Sequence, residues 1–254
     1  MADHFLHGVE VVEIDNGPRP IRTVRSSVIG LVGTAPDADE QRFPLNTPVL
    51  IAGSRLEAAK LGATGTLPMA IDGIFDQAGA LVVVIRVAEG ATEAETQTNV
   101  LGGVDEAGQY LGLQALLAAQ SVAQVTPRIL IAPGFTHQRP TDPDDNTRQL
   151  ANPVVAELLG IAERLRAVII ADGPNTTDAA AIDYREDWGS PRIYVVDPHV
   201  KVMKNGVVVT EPVSARVAGL IAKIDNGRGF WWSPSNNVIN GILGYTHLLS
   251  GKVQ

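Results

Sequence analysis

The residues of this chain that could do chemistry are few and widely spaced. Asp172, in Asp172-Gly173-Pro174, follows a β-branched run, and the end of a strand is where α/β enzymes place reacting groups. It has no partnered base or nucleophile, so it reads as a turn former. Gly30-Leu31-Val32-Gly33-Thr34-Ala35 resembles half of a dinucleotide-binding loop, but the third glycine is missing. Pro36, Asp37, Asp39 and Glu40 stand where a helix would have to open over a phosphate, so the run is read as a packed core strand. Asp142, Asp144 and Asn146 have calcium-loop spacing. Thr147 occupies the position that needs Gly and Pro153 the position of the bidentate Glu, which leaves an acidic surface loop. The five histidines (His4, His7, His137, His199, His247) include no HExxH pair, and His4 and His7 read as part of a solvated tail. There is no GxSxG elbow and no Walker loop. The absence of Cys removes disulfides, thiol catalysis and Cys-zinc sites together. No metal, cofactor or catalytic constellation is expected.

The most informative stretch is apolar, Thr210 to Gly241: TEPVSARVAGLIAKIDNGRGFWWSPSNNVING. Trp231 and Trp232 fall on a loop, where burial must come from another segment or another subunit. With Trp188 they read as core plugs or interface anchors rather than as a stacking platform for a ligand.

A net charge of −8 and a pI near 5.1 argue against nucleic acid as a partner, because phosphate binding needs concentrated Lys and Arg. The longest apolar run, Ala80 to Ile85, is strand-sized, so no membrane span is expected. MADHFLHGVEVVEID lacks the basic and apolar regions of a signal peptide, which points to synthesis in the cytoplasm.

These residues must be positioned by an alternating framework. Residues 1–20 read as an extended arm and hinge, with Asn16-Gly17-Pro18 and Pro20 detaching the arm from the body. Strands are expected at Ser27–Thr34, Leu81–Val87, Arg128–Ala132, Ala167–Ala171, Ile193–Val196 and Gly206–Thr210. Ser54 caps a short helix over 55–61 that Gly62 ends, and residues 67–78 form a second helix. Leu113–Val122 and Thr177–Tyr184 are helical. Asn152 caps a helix with Pro153 at its first position and Val154, Leu158, Ile161 and Leu165 on one face. Pro212 opens a helix carrying Val213, Val217, Leu220 and Ile224, which Asn226-Gly227 ends. Residues 90–108 and 136–146 read as insertion loops. The alternation gives an α/β fold with a mostly parallel sheet and flanking helices over residues 21–254.

FLHGVEVVEIDNGPRPIRTVRSSVIGLVGTAP (5–36), RILIAPGF (128–135), RIYVVDPHVKV (192–202) and the Pro-started helix running into Gly-Phe-Trp and Ser-Pro-Ser-Asn resemble the contractile tail sheath family of phages and R-type bacteriocins. The resemblance implies a structural subunit that polymerises helically around an inner tube and contracts to drive it through a cell envelope. It implies no enzyme activity and no cofactor. Its implied partners are neighbouring copies of itself, the inner tail tube protein, and baseplate and tail terminator proteins. It places the protein in the bacterial host cytoplasm during assembly and in a tail afterwards. By the same resemblance the N-terminal arm adds strands to a neighbour, which makes Phe5, Val9, Val11 and Ile14, with Trp231 and Trp232, the expected subunit contacts. Family members continue into a further C-terminal assembly domain that residues 1–254 do not contain, so the chain alone is expected not to form long sheaths. The competing expectation is an α/β hydrolase or nucleotide-binding enzyme with Asp172 at a strand end, and a third is a monomeric adaptor domain.

Overall fold

The structure, a computed structural model, describes residues 27–247. In chain order its elements are β1 (Ile29–Thr34), β2 (Val49–Ala52), α1 (Arg55–Ala58), α2 (Thr66–Phe75), β3 (Leu81–Val87), α3 (Glu93–Leu101), β4 (Gly103–Val104), β5 (Tyr110–Leu111) and α4 (Ala119–Val122). There follow β6 (Ile129–Ile131), α5 (Pro153–Leu165), β7 (Val168–Asp172), α6 (Asp178–Glu186), β8 (Ile193–Val196), β9 (Val200–Lys204), β10 (Val207–Glu211), α7 (Ser214–Arg228) and β11 (Gly244–Tyr245).

Apolar β-branched runs make the central layer because both of their faces can be buried. Among the described residues they form a six-stranded sheet in the order β2-β3-β1-β6-β7-β8, parallel except for β2, which pairs antiparallel with β3 at one edge. Side chains alternate across it. Ile29, Leu31, Val82, Val84, Ile129, Ile131 and Ile170 pack on one face with Ile71 and Ile74 of α2 and Ala215, Ala218 and Ala222 of α7. Val32, Val83, Ile85, Leu130, Ile169 and Ala171 pack on the other with Leu113, Leu116, Val155, Leu158 and Ile161. As expected from the sequence, β6, β7 and β8 are adjacent parallel strands and α5 covers them, with the Asn152 side chain accepting from the Val155 N–H at 3.0 Å.

α7 lies against α2, and small residues set the approach. A Cβ at Gly219 would meet the Ile74 carbonyl oxygen at 2.6 Å, so only glycine fits there. Further along the same contact Arg216 is buried at 3% exposure. Its guanidinium donates to Asp76, which caps the end of α2, at 2.8 Å, to the Asn240 carbonyl at 2.9 Å, and to Glu211 of β10 at 3.4 Å. Lys204 reaches the second Glu211 oxygen at 2.6 Å. Gln77 and Asn240 exchange backbone–amide bonds of 3.0 and 2.8 Å beside it. One buried cation therefore ties the sheet's covering helices, a second small sheet and the segment near residue 240 into one body.

That small sheet has the order β10-β9-β11. The hairpin β9–β10 turns at Asn205 (φ 50°) and Gly206 (φ 80°), the left-handed pair that a two-residue turn requires. Only β10 was expected from the sequence.

Three further expectations differ. Residues 90–108 are not a loop, since α3 and β4 lie within them. Thr92 accepts from the Glu95 N–H at 3.2 Å while Glu95 reaches back to the Ala91 N–H at 2.7 Å, a capping arrangement that starts a polar helix burying only Thr96 and Val100. The segment at Leu113–Val122 is 3-10 over Gly112–Ala118 before it becomes α4. The helix opened by Pro212 begins at Ser214, because its first free N–H is taken by a strand-end carboxylate.

Replacing Arg216 with Ala leaves Glu211 buried beside a single ammonium group. The expected cost is on the order of 3–5 kcal/mol of unfolding free energy, read by urea denaturation. Arg216→Met is expected to lose as much, since the Glu211 charge stays behind.

Candidate functional site

In an open α/β sheet, ligands bind at the C-terminal ends of the strands where the connections diverge. Here that point lies between β1, whose chain leads to β3, and β6, whose chain leads the other way to β7 and β8. It is filled by the protein itself. The Thr34 N–H donates to Thr66 Oγ1 at 3.1 Å, and the Thr66 N–H to Thr34 Oγ1 at 3.3 Å. The start of α2, where a phosphate would be held, is thereby capped by the end of β1. Gly65 (φ 90°) approaches so closely that a Cβ there would lie 2.4 Å from the Thr34 carbonyl oxygen. The Gly30–Ala35 run is the buried strand β1, as read from the sequence, with no cradle for a dinucleotide.

Asp172 closes β7 and is fully buried. Its Oδ1 accepts from the Ser214 N–H at 2.8 Å, and its Oδ2 accepts from the Ser214 hydroxyl at 2.5 Å and the Thr136 hydroxyl at 3.4 Å. Its own N–H donates to Thr136 Oγ1 at 3.0 Å, and Tyr184 donates its hydroxyl to the Thr136 carbonyl. Asp172 is thus a capping carboxylate supplied across the fold to the positive end of α7. Burial pushes its pKa up to about 6 against the opposing pull of the Ser214 and Thr136 hydrogen bonds. No imidazole bonds to Asp172 or Ser214 among the described residues. The Ser214 hydroxyl is a donor to a carboxylate in a sealed site, so Asp, Ser and Thr here make a structural clamp and not a nucleophile with its base.

Sequence reasoning missed a histidine cluster beside this clamp, because its members are far apart in the chain. His137 and His199 meet edge to face with ring centroids 5.5 Å apart, and His247 Nε2 lies 3.6 Å from Asp197. Burial, and then the neighbouring His137 and His247, lower the His199 pKa to about 4. Burial also lowers His137. Burial thus disfavours the charged form of His137 and His199. The described residues contain no group of His, Cys, Asp and Glu able to hold a metal. In the acidic loop the carboxylates serve their own turn: Asp142 accepts from the Asp144 N–H at 3.0 Å, and Asp145 from the Thr147 N–H at 2.9 Å.

The opposite end of the sheet is open. A groove of about 1140 Å³ runs beneath the starts of β1, β3, β6 and β7, floored by Leu81, Ile129, Val168 and Ile221. Its far wall is the end of α7, where Phe230 and Trp231 pack edge to face with centroids 5.2 Å apart. Phe230, Trp231 and Trp232 are 69%, 72% and 52% exposed. The Arg228 guanidinium stands 5.5 Å from the Trp232 ring centre. Trp188, by contrast, is a core residue, edge to face with Tyr184 at 6.1 Å. Phe5, Val9, Val11 and Ile14 lie outside the described residues.

The polar clusters at the C-terminal ends of the strands are thus closed, and the exposed aromatic rings lie at the opposite end of the sheet. The same fold is seen in the contracted sheath complex of an extracellular contractile injection system, which aligns over 99% of this chain and 59% of that one with a TM-score of 0.59 at 15% identity. Residues 108–249 match the phage tail sheath protein central domain, and residues 26–87 match the N-terminal region of domain III of the tail sheath protein Gp18. The chain belongs to the phage tail sheath protein family, a structural family and not an enzymatic one. A prophage major tail sheath protein of Pseudomonas aeruginosa is 40% identical over 243 residues, and the tail sheath protein of Escherichia phage P2 is 37% identical over 254. The alignments cover 94% and 96% of this chain but 59% and 60% of those relatives.

Two titrations should oppose each other in acid. His199, depressed from 6.5 to about 4, stabilises the fold above pH 6.5 and loses that contribution as the pH falls toward 4. Asp172, raised from 3.8 to about 6, adds stability as the pH falls from 6 toward 3.8. In urea denaturation from pH 7 to 4, His199→Phe should abolish the acid-side loss, worth at most about 3 kcal/mol. Asp172→Asn should abolish the opposing gain.

Proposed function

We propose that the protein works as the subunit of a contractile sheath, polymerising helically around an inner tail tube between baseplate and terminator and contracting to drive the tube through a cell envelope. The observation that supports this most directly is that two tail-sheath domain descriptions match, in order, across the described body. Heterologous contacts whose rotation does not close generate such a helix, and contraction is then a passage between two packings of the same subunits. Assembly in the bacterial cytoplasm fits a chain whose described helices include none long and apolar enough to cross a membrane.

Residues 1–20 are the inter-subunit arm in this reading, with Phe5, Val9, Val11 and Ile14 pairing into a neighbour's sheet edge. Trp231 and Trp232 are the anchors that a second segment or subunit covers, since exposed aromatic pairs are the commonest hot spots of interfaces.

Co-expression of the complete gene product with its tube protein, followed by negative-stain microscopy, should show tubes. Trp231→Ala with Trp232→Ala should leave the unfolding free energy within about 0.5 kcal/mol, as for exposed sites generally, yet reduce pelletable sheath at least tenfold. Deleting residues 1–15 should leave the subunit folded and abolish ordered sheath. Particles without tubes in the parent, or normal contracting sheath in the deletion, would overturn the reading.

A further inference from the structure

The groove at the N-terminal ends of the strands has an apolar floor and a cationic rim. Arg128, Arg166 and Arg192 stand at the starts of β6, β7 and β8, and the first two line the groove. The Arg128 guanidinium is held by the Leu165 carbonyl, which fixes its charge on one lip beside Arg166, and Arg192, outside the lining, is held by the Ala167 carbonyl at 3.1 Å. Across from it stand Phe230 and Trp231, both exposed. Asp225 is the acidic residue of the lining. A surface of this kind fits an extended segment that is apolar and acidic together.

The first fifteen residues have that character. They carry Asp3, Glu10, Glu13 and Asp15, no Lys or Arg, and Phe5, Leu6, Val9, Val11, Val12 and Ile14 as apolar positions. The chain also arrives at the right place. Ser27, the first described residue, lines the groove, and its hydroxyl donates to Asn226 at 3.0 Å at the end of α7. The eleven residues 16–26 between them reach roughly 36–40 Å when fully extended, enough to return residues 1–15 to the groove of the same subunit.

We propose that the groove is the resting seat of the chain's own N-terminal segment in the unassembled subunit. Its acidic residues lie along the Arg128–Arg166 lip and its apolar residues lie on Ile129, Val168 and Trp231. A segment seated in this way is withheld from other copies, so that leaving the groove becomes a condition for linking to a neighbour. The seat is a property of the isolated chain and holds or fails independently of sheath assembly.

The absence of cysteine lets two spin labels be placed cleanly. Ala2→Cys reports the segment and Arg164→Cys, exposed at the end of α5, reports the groove rim. Pulsed electron resonance on the full 254-residue chain, diluted with unlabelled chain, should give a narrow short-distance population. That population should be lost with Arg166→Glu plus Trp231→Ala, both at exposed positions, and equally with Glu10→Lys plus Glu13→Lys. A broad distribution in the parent, or a narrow one that survives either set, would overturn the proposal. So would a narrow population that disappears on dilution with unlabelled chain, because the occupant would then be a neighbour's segment.

Discussion

A charge taken out of water must be paired on every side, and Arg216 shows how much of this fold follows from meeting that demand. Its donors are shared among α2, β10 and the carbonyl of Asn240. None of the three could shift without stranding a buried cation. The hairpin β9–β10 leaves Val207, Val208 and Met203 exposed and buries Val200 and Val202 in the core. An isolated hairpin of this size is marginal in water, and it is attached to the body by Val200 and Val202 in the core and by Glu211 on Arg216. The segment beyond α7 returns to the core by the same contact and then adds β11 to β9.

Polar groups inside this protein are used for holding, not for reacting. The strand-end carboxylate, the serine and the threonine that an enzyme would expose are consumed capping α7, and the reciprocal Thr34–Thr66 bonds close the mouth where a nucleotide would enter. At both places the side chains that could hold a ligand are bonded to one another instead.

The central layer was legible because its strands are β-branched runs buried on both faces, and because Asn152-Pro153 and Ser54 are unambiguous helix starts. The pairing of β2 was not, since Val49–Ala52 is four residues at an edge with mixed exposure. α3 was hidden by its polarity. Its Thr92–Glu95 cap was the available signal. Asn205-Gly206 between KVMK and VVVTE was a hairpin signal that would have found β9 as well as β10. The residues that matter for packing, His137 with His199 and Asp172 with Ser214, are brought together from positions far apart in the chain, and no spacing rule reveals such pairs. The groove is likewise assembled from the starts of several strands and the end of one helix. The loop position of Trp231 and Trp232 was legible, while the arginines at the strand starts across the groove were not.

α7 joins the two ends of the molecule. Its fifteen residues make a rod of roughly 22 Å with the Asp172 clamp at one tip and the aromatic loop at the other. A pull on the loop after α7 would reach the body through the helix, whose far end is held by the Asp172–Ser214 bonds and, two residues in, by Arg216. Contacts loaded lengthwise share the strain and yield together, whereas contacts peeled from one edge yield in succession. A load entering at the aromatic loop would therefore meet the Arg216 and Asp172 contacts along one helix rather than one at a time at an edge.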